Sequence, residues 1–130
     1  MFETELKCPV CEEYCFDTFD DYVTCPVCGW DGNIPQFKDH NLSDGRNALS
    51  VNEYKIQRRA ILQPGLRDTV LKMQRAFLKK RWDIKELSRD LASGCTADDW
   101  ALMLPALVEV REDYVASLND LIKVHQSINN

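Results

Sequence analysis

Apolar residues Leu66, Val70, Met73 and Phe77 recur at steps of four, three and four. That spacing predicts one buried stripe along an α-helix. Upstream, Ser50-x-x-Glu53 forms a capping box, in which hydroxyl and carboxylate each satisfy a free backbone N–H, so a helix is expected from Ser50 to about Leu62, ending before Pro64-Gly65. Asp83-x-x-Glu86 offers an acidic version of the same signal, predicting a fresh helix with Ile84, Leu87 and Leu91 buried and Gly94 after its end. Thr96-x-x-Asp99 then opens a last helical region whose stripe is Trp100, Leu104, Leu107, Tyr114, Leu118 and Leu121. Pro105 lies inside that stripe, so a kink or break is expected near Ala101 to Leu104. The chain from Ser50 onward therefore reads as four or five helices.

The front of the chain has a different rhythm. Apolar and polar residues interleave from Tyr14 to Phe19, and Tyr22-Val23-Thr24 is β-prone. Together they predict a short hairpin turning near Asp20-Asp21. Asp31 to Gly45 is rich in Asp, Asn, Gly and Pro and reads as an irregular connector. The expected organisation is a module over 1–45 and a helical region over 46–130, packed together as one compact unit.

The cysteines change the picture of the front segment. Cys8-Pro9-Val10-Cys11 and Cys25-Pro26-Val27-Cys28 repeat one tetrapeptide, giving C-x2-C-x13-C-x2-C. Each C-x2-C turn points two thiolates at one ion, and two turns complete a tetrahedral set. Cys8, Cys11, Cys25 and Cys28 are thus the expected ligands of one structural Zn2+. Four sulfurs close the shell, whereas a catalytic zinc keeps a position for water. A segment this small cannot bury enough surface to fold alone, and a structural zinc supplies about 10–16 kcal/mol toward folding. Gly29 after the last ligand suits a left-handed turn, and the Trp30 indole is placed to cover the site. Cys15 is expected to be a packed thiol and Cys95 a tolerated one. His40 and His125 lie in no ligand motif. The fold class expected is α+β: a small four-cysteine zinc ribbon with a β-hairpin, followed by an α-helical bundle.

Charge sorts the chain into blocks within a net charge of −5. Residues 1–45 sum to −8, residues 46–89 to +8 and residues 90–130 to −5. The acidic start Met1-Phe2-Glu3-Thr4-Glu5 lacks a basic segment followed by an apolar one, and no apolar run is long enough to span a bilayer. A cytoplasmic chain with reduced thiols and no membrane partner is expected.

The knuckles, the following Gly29-Trp30-Asp31, and the segment Gly45-Arg46-Asn47-Ala48-Leu49-Ser50-Val51-Asn52-Glu53 together resemble the cysteine-rich CPCC family of small bacterial proteins. The resemblance covers about Cys8 to Arg59. It departs from the family at Gln57-Arg58, where an Asn-Tyr pair is common, and it gives no counterpart for the helices beyond Ile61. It implies a zinc-ribbon accessory domain, in proteins that often look like immunity or regulatory partners of bacterial toxins. A similar C-P-x-C-G knuckle holds iron in rubredoxin-like electron carriers, but their knuckles lie farther apart.

Neither G-x-S-x-G, nor a phosphate-cradling glycine loop, nor H-E-x-x-H occurs, so no enzyme is expected. The expected function is non-enzymatic: an immunity protein that masks the active site of a cognate bacterial toxin, a nuclease being the natural target of so acidic a front. Asp17, Asp20, Asp21 and Asp31 are the candidate contact acids, since acidic groups steer toward and cover a cationic cleft. The alternative is a nucleic-acid-binding regulator using the basic-aromatic run Lys79-Lys80-Arg81-Trp82. Against it, the acidic ribbon would repel phosphate.

Overall fold

The computed structural model describes residues 6–16, 23–91 and 97–128. The chain divides into two compact units, Met1–Arg59 and Ala60–Asn130. Residues 46–59 thus belong with the cysteine-bearing segment. The fold class is α+β: a two-stranded antiparallel hairpin followed by helices.

In the first unit, β1 (Leu6–Lys7) pairs antiparallel with β2 (Cys15–Phe16), setting Leu6 opposite Phe16 and Lys7 opposite Cys15. The first knuckle is therefore the loop of its own hairpin. The second knuckle is closed the same way by a bridge between Thr24 and Asp31. Among the described residues, each strand pairs across a knuckle; the expected pairing of Tyr14–Phe19 with Tyr22–Thr24 runs through 17–22, outside the described residues. The physical reason is that a C-P-V-C loop is itself a tight turn, so its flanks meet each other first. The expected turn at Asp20-Asp21 lies outside the described residues.

The connector is less irregular than its composition suggests. It holds α1 (Ile34–Lys38), whose N-cap Asn33 accepts a hydrogen bond from the Gln36 N–H, with proline inside the first turn. Helix α2 (Val51–Ile61) starts with the predicted capping box. The Ser50 N–H donates to Glu53 Oε1 at 2.9 Å, and the Glu53 N–H donates to Ser50 Oγ at 3.1 Å. Val51 and Tyr54 on α2 join Cys8, Val10, Phe16, Cys25 and Trp30 in one apolar cluster.

The second unit is built on α3 (Arg67–Leu91) and α4 (Ala97–Ile128). Five residues link two long helices that pack together, so they run antiparallel. Val70 and Phe77 of α3 meet a stripe of Met103, Leu107, Tyr114, Leu118 and Ile122 on α4. Phe77 and Tyr114 stack with centroids 4.5 Å apart and rings 4° from parallel. Several expectations are corrected here. Asp83-x-x-Glu86 starts no helix, because Arg67–Leu91 contains no glycine or proline to stop α3, and Asp83 instead accepts from Lys79 one turn back at 3.0 Å. Of the kink or break expected near Ala101 to Leu104, the break is absent: α4 continues through Pro105, which loses one backbone donor while buried Met103 and Leu107 hold the helix on either side. Among the described residues, three helices follow Ser50, not four or five. The stripe on α4 is also rotated from its expected line: Leu107, Tyr114 and Leu118 are buried, but Leu104 is exposed. The side chains of Leu87, Leu91 and Trp100 lie outside the described residues.

Candidate metal centre

Both knuckles fold by the same local rule. In the first, the Glu12 N–H donates to the Cys8 carbonyl at 2.9 Å; in the second, the Gly29 N–H donates to the Cys25 carbonyl at 2.9 Å. The residue after each second cysteine is left-handed, Glu12 at φ 59° and Gly29 at φ 86°. Glycine adopts that conformation freely, whereas glutamate does so at a cost. A Cβ on Gly29 would also stand 3.3 Å from the Tyr54 hydroxyl. Antiparallel hydrogen bonds close each loop: Cys8 N–H to Tyr14 C=O and Cys25 N–H to Trp30 C=O, both 2.8 Å.

These turns bring all four predicted ligands together. The sulfurs of Cys8, Cys11, Cys25 and Cys28 lie within 4.8 Å of one another. Across the two knuckles, Cys8 Sγ is 3.5 Å from Cys28 Sγ and Cys11 Sγ is 3.7 Å from Cys25 Sγ. A tetrahedral ion bound at about 2.3 Å per sulfur needs sulfur–sulfur edges of about 3.8 Å, so the set fits a four-thiolate centre. Cys8 and Cys25 are buried; Cys11 and Cys28 are half-buried.

Electrostatics argue for a cation at this point. The Cys28 thiol beside Cys8, with help from the Cys11 and Val10 N–H groups, holds the Cys8 thiol down at about 5 against the opposing effect of burial. Cys28 is pushed up, first by sharing a proton with Cys8 and then by burial. Burial, ahead of the neighbouring sulfurs, raises Cys11. Four thiolates this close repel one another strongly, and a divalent ion removes that penalty while displacing the protons.

Around the sulfurs the packing is largely aromatic. Trp30 is wholly buried and meets Phe16 edge-on at 6.0 Å, and Phe16 meets Tyr14 edge-on at 5.1 Å. Tyr54 on α2 donates its hydroxyl to the Cys28 carbonyl at 3.4 Å. Its phenol is raised by burial first and by the Cys28 charge second. Arg58 reaches Glu13 beside the first knuckle at 3.2 Å.

A buried hydrogen-bond network lies behind the second knuckle. Gln36 is fully buried. Its Nε2 lies 3.0–3.3 Å from the carbonyls of Leu42, Asn47 and Leu49, while its Oε1 accepts from both Asn47 N–H and Asn47 Nδ2. Asn47 in turn grips the Asp31 backbone, with Asp31 N–H to Oδ1 at 2.9 Å and Nδ2 to the Asp31 carbonyl at 2.8 Å. Gly45 leaves room for this, since a Cβ there would lie 2.9 Å from Gln36 Cδ. The signal was present: Asn33, Pro35 and Gln36 stand in N-cap, N2 and N3 order.

The remaining candidates fall as follows. The Asp31 carboxylate accepts from Thr24 Oγ1 at 2.6 Å across the second knuckle. Asp17, Asp20, Asp21 and Cys95 lie outside the described residues. Cys15 is exposed on β2, not packed as expected, because the strand alternation that buries Phe16 turns its neighbour outward. No helix among the described residues is long and apolar enough to cross a membrane.

The model of the cysteine-rich CPCC family matches residues 6–61, and no family matches the remainder. The matched segment is the first unit together with the end of α2. No curated protein and no solved structure matches the chain.

Proposed function

We propose that this CPCC-type chain is a non-enzymatic protein-binding protein whose first unit is clamped by one structural Zn2+. The closed set of four cysteine sulfurs carries the reading, since it leaves no coordination position for water or substrate. Zinc suits it better than iron because thirteen residues join the knuckles, far fewer than in rubredoxin-like carriers. In this role the metal does no chemistry. It rigidifies the loops before a partner arrives, so that little ordering entropy is lost on binding.

The partner is a bacterial toxin domain, a nuclease with a basic cleft, met in the cytoplasm. Residues 1–45 carry −8, and four thiolates around one divalent ion add about two more negative charges. Such a surface speeds encounter with a cationic cleft and then covers it. Asp17, Asp20 and Asp21 supply the contacts, while the Asp31 carboxylate is engaged by Thr24. Nucleic acid is the weaker partner, since Lys79 in the basic run is already paired with Asp83.

The test is co-expression with the toxin encoded beside this chain, read as rescue of growth. Rescue by the wild type, and its loss in a D17K/D20K/D21K variant that keeps its zinc, supports the proposal. A wild type that binds zinc but neither rescues growth nor binds the catalytically dead toxin rejects the immunity role.

A further inference from the structure

The second unit presents an apolar face that its own fold leaves partly exposed, with Leu78, Trp82 and Leu104 exposed and Leu71, Val108 and Val115 half-buried. On α3, Leu71, Leu78 and Trp82 fall within roughly 40° of one another, about 100° round from the stripe facing α4, at 100° per residue. On α4, Leu104, Val108 and Val115 form an equally narrow line about 60–120° round from Met103, Leu107, Tyr114 and Leu118, and the line runs into the buried stripe only at Ile122. In an antiparallel pair these two lines share one side of the hairpin. Trp82 is 60% exposed, Leu78 45% and Leu104 38%. Two packed helices make one layer, and a layer with an apolar outer face needs a second one.

The charges flanking this face say what covers it. Helix α3 carries eight basic and four acidic residues, while α4 carries six acidic and two basic. Arg75 and Lys79 border the apolar line on the outer edge of α3. Glu109 and Glu112 border it on the outer edge of α4, where with Leu104, Pro105 and Val108 they line a shallow groove. One surface thus holds a basic edge and an acidic edge on opposite flanks of an apolar centre. It is complementary to itself.

We infer that two copies of this chain pair face to face through α3 and α4, forming an antiparallel four-helix bundle in which each α3 lies on the partner's α4. A two-fold axis running along the helices sets the basic edge of α3 against the acidic edge of the opposing α4. The stacked Phe77–Tyr114 pair places residue 79 level with residue 112; Lys79 is held by Asp83, so Arg75, one turn back, is the cation that meets the partner's Glu112. The other symmetric pairing, α3 on α3, would set a net +4 helix against its own kind and is disfavoured. Trp82 becomes the central anchor, as buried aromatic residues at interfaces commonly are. This inference is independent of the toxin-binding proposal, since it uses neither the metal centre nor the acidic front.

The test is sedimentation equilibrium of the full zinc-loaded chain, with circular dichroism and zinc content as controls for folding. The wild type is expected at twice the 15.0 kDa chain mass. Trp82→Glu should raise the dissociation constant at least about 30-fold. Arg75→Glu should also weaken the dimer, as should Glu112→Arg, and the R75E/E112R chain should recover it because both new pairs are again opposite in sign. A wild type that stays monomeric at tens of micromolar overturns the inference, with that concentration set against interface affinities of about micromolar or better. So does a dimer indifferent to Trp82→Glu, a swapped double variant no better than its parents, or a monomer that binds single-stranded RNA through Trp82.

Discussion

The two units solve the folding problem by opposite means. In Ala60–Asn130, two long helices bury one continuous stripe, and a ring stack fixes their register. In Met1–Arg59, the strands are two residues long and the first helix five. Apolar burial there follows no helical repeat and is gathered in one small cluster around Cys8 and Cys25. Four sulfurs and a buried amide network reinforce it. The lesson is that a unit with little regular structure must concentrate its stability at a few atoms. Damage there should therefore be severe and local, while damage to the helical pair should be graded.

The sharpest way to break this contrast is to remove the ion. Chelation, or Cys25→Ser, is expected to cost the first unit on the order of 10 kcal/mol and to unfold it. Hydrogen exchange should then show protection lost across residues 6–59 and retained in α3 and α4. Uniform loss through both units would merge them into one cooperative whole. Next in size is Phe77→Ala, which empties one side of the Tyr114 stack and should cost about 4 kcal/mol. Thermal unfolding should register that loss with the zinc content unchanged.

Gly45→Ala comes third, at about 2 kcal/mol, because the new methyl pushes Gln36 off its buried partners. Its effect should appear in the first unit alone, as faster release of zinc to a competing chelator. Ser50→Ala should remove about 1 kcal/mol through the lost cap on α2. The smallest effect has the opposite sign. Glu12→Gly relieves a left-handed glutamate in the first knuckle and should stabilise the zinc form by about 0.5–1 kcal/mol. Destabilisation there would mean that the Glu12 side chain does more than occupy its turn.

The same contrast explains what could be read from residues alone. The ligand set was legible because two identical C-P-V-C turns report their chemistry locally, with no need to know what packs on them. The cap at Ser50 and Glu53 was legible for the same reason. Helix ends inside the second unit were not. Asp83 and Glu86 carry a capping pattern, yet an i,i+4 partner at Lys79 and the lack of any breaker keep α3 going. Pro105 carries a breaking signal that buried neighbours override. The pairing across each knuckle was not legible, because alternation shows which residues can form strands but not which strand each will meet. Gln36 was hidden because polar residues in a Gly- and Asn-rich stretch look like loop, and burial is decided by distant Asn47 and Leu49.

Zinc-edge X-ray absorption on the purified, fully reduced protein tests the central claim most directly. The account predicts one zinc per chain with four sulfur neighbours at about 2.3 Å and no lighter ligand. An oxygen or nitrogen in the first coordination sphere, or thiols found paired as disulfides with no metal held, would contradict it.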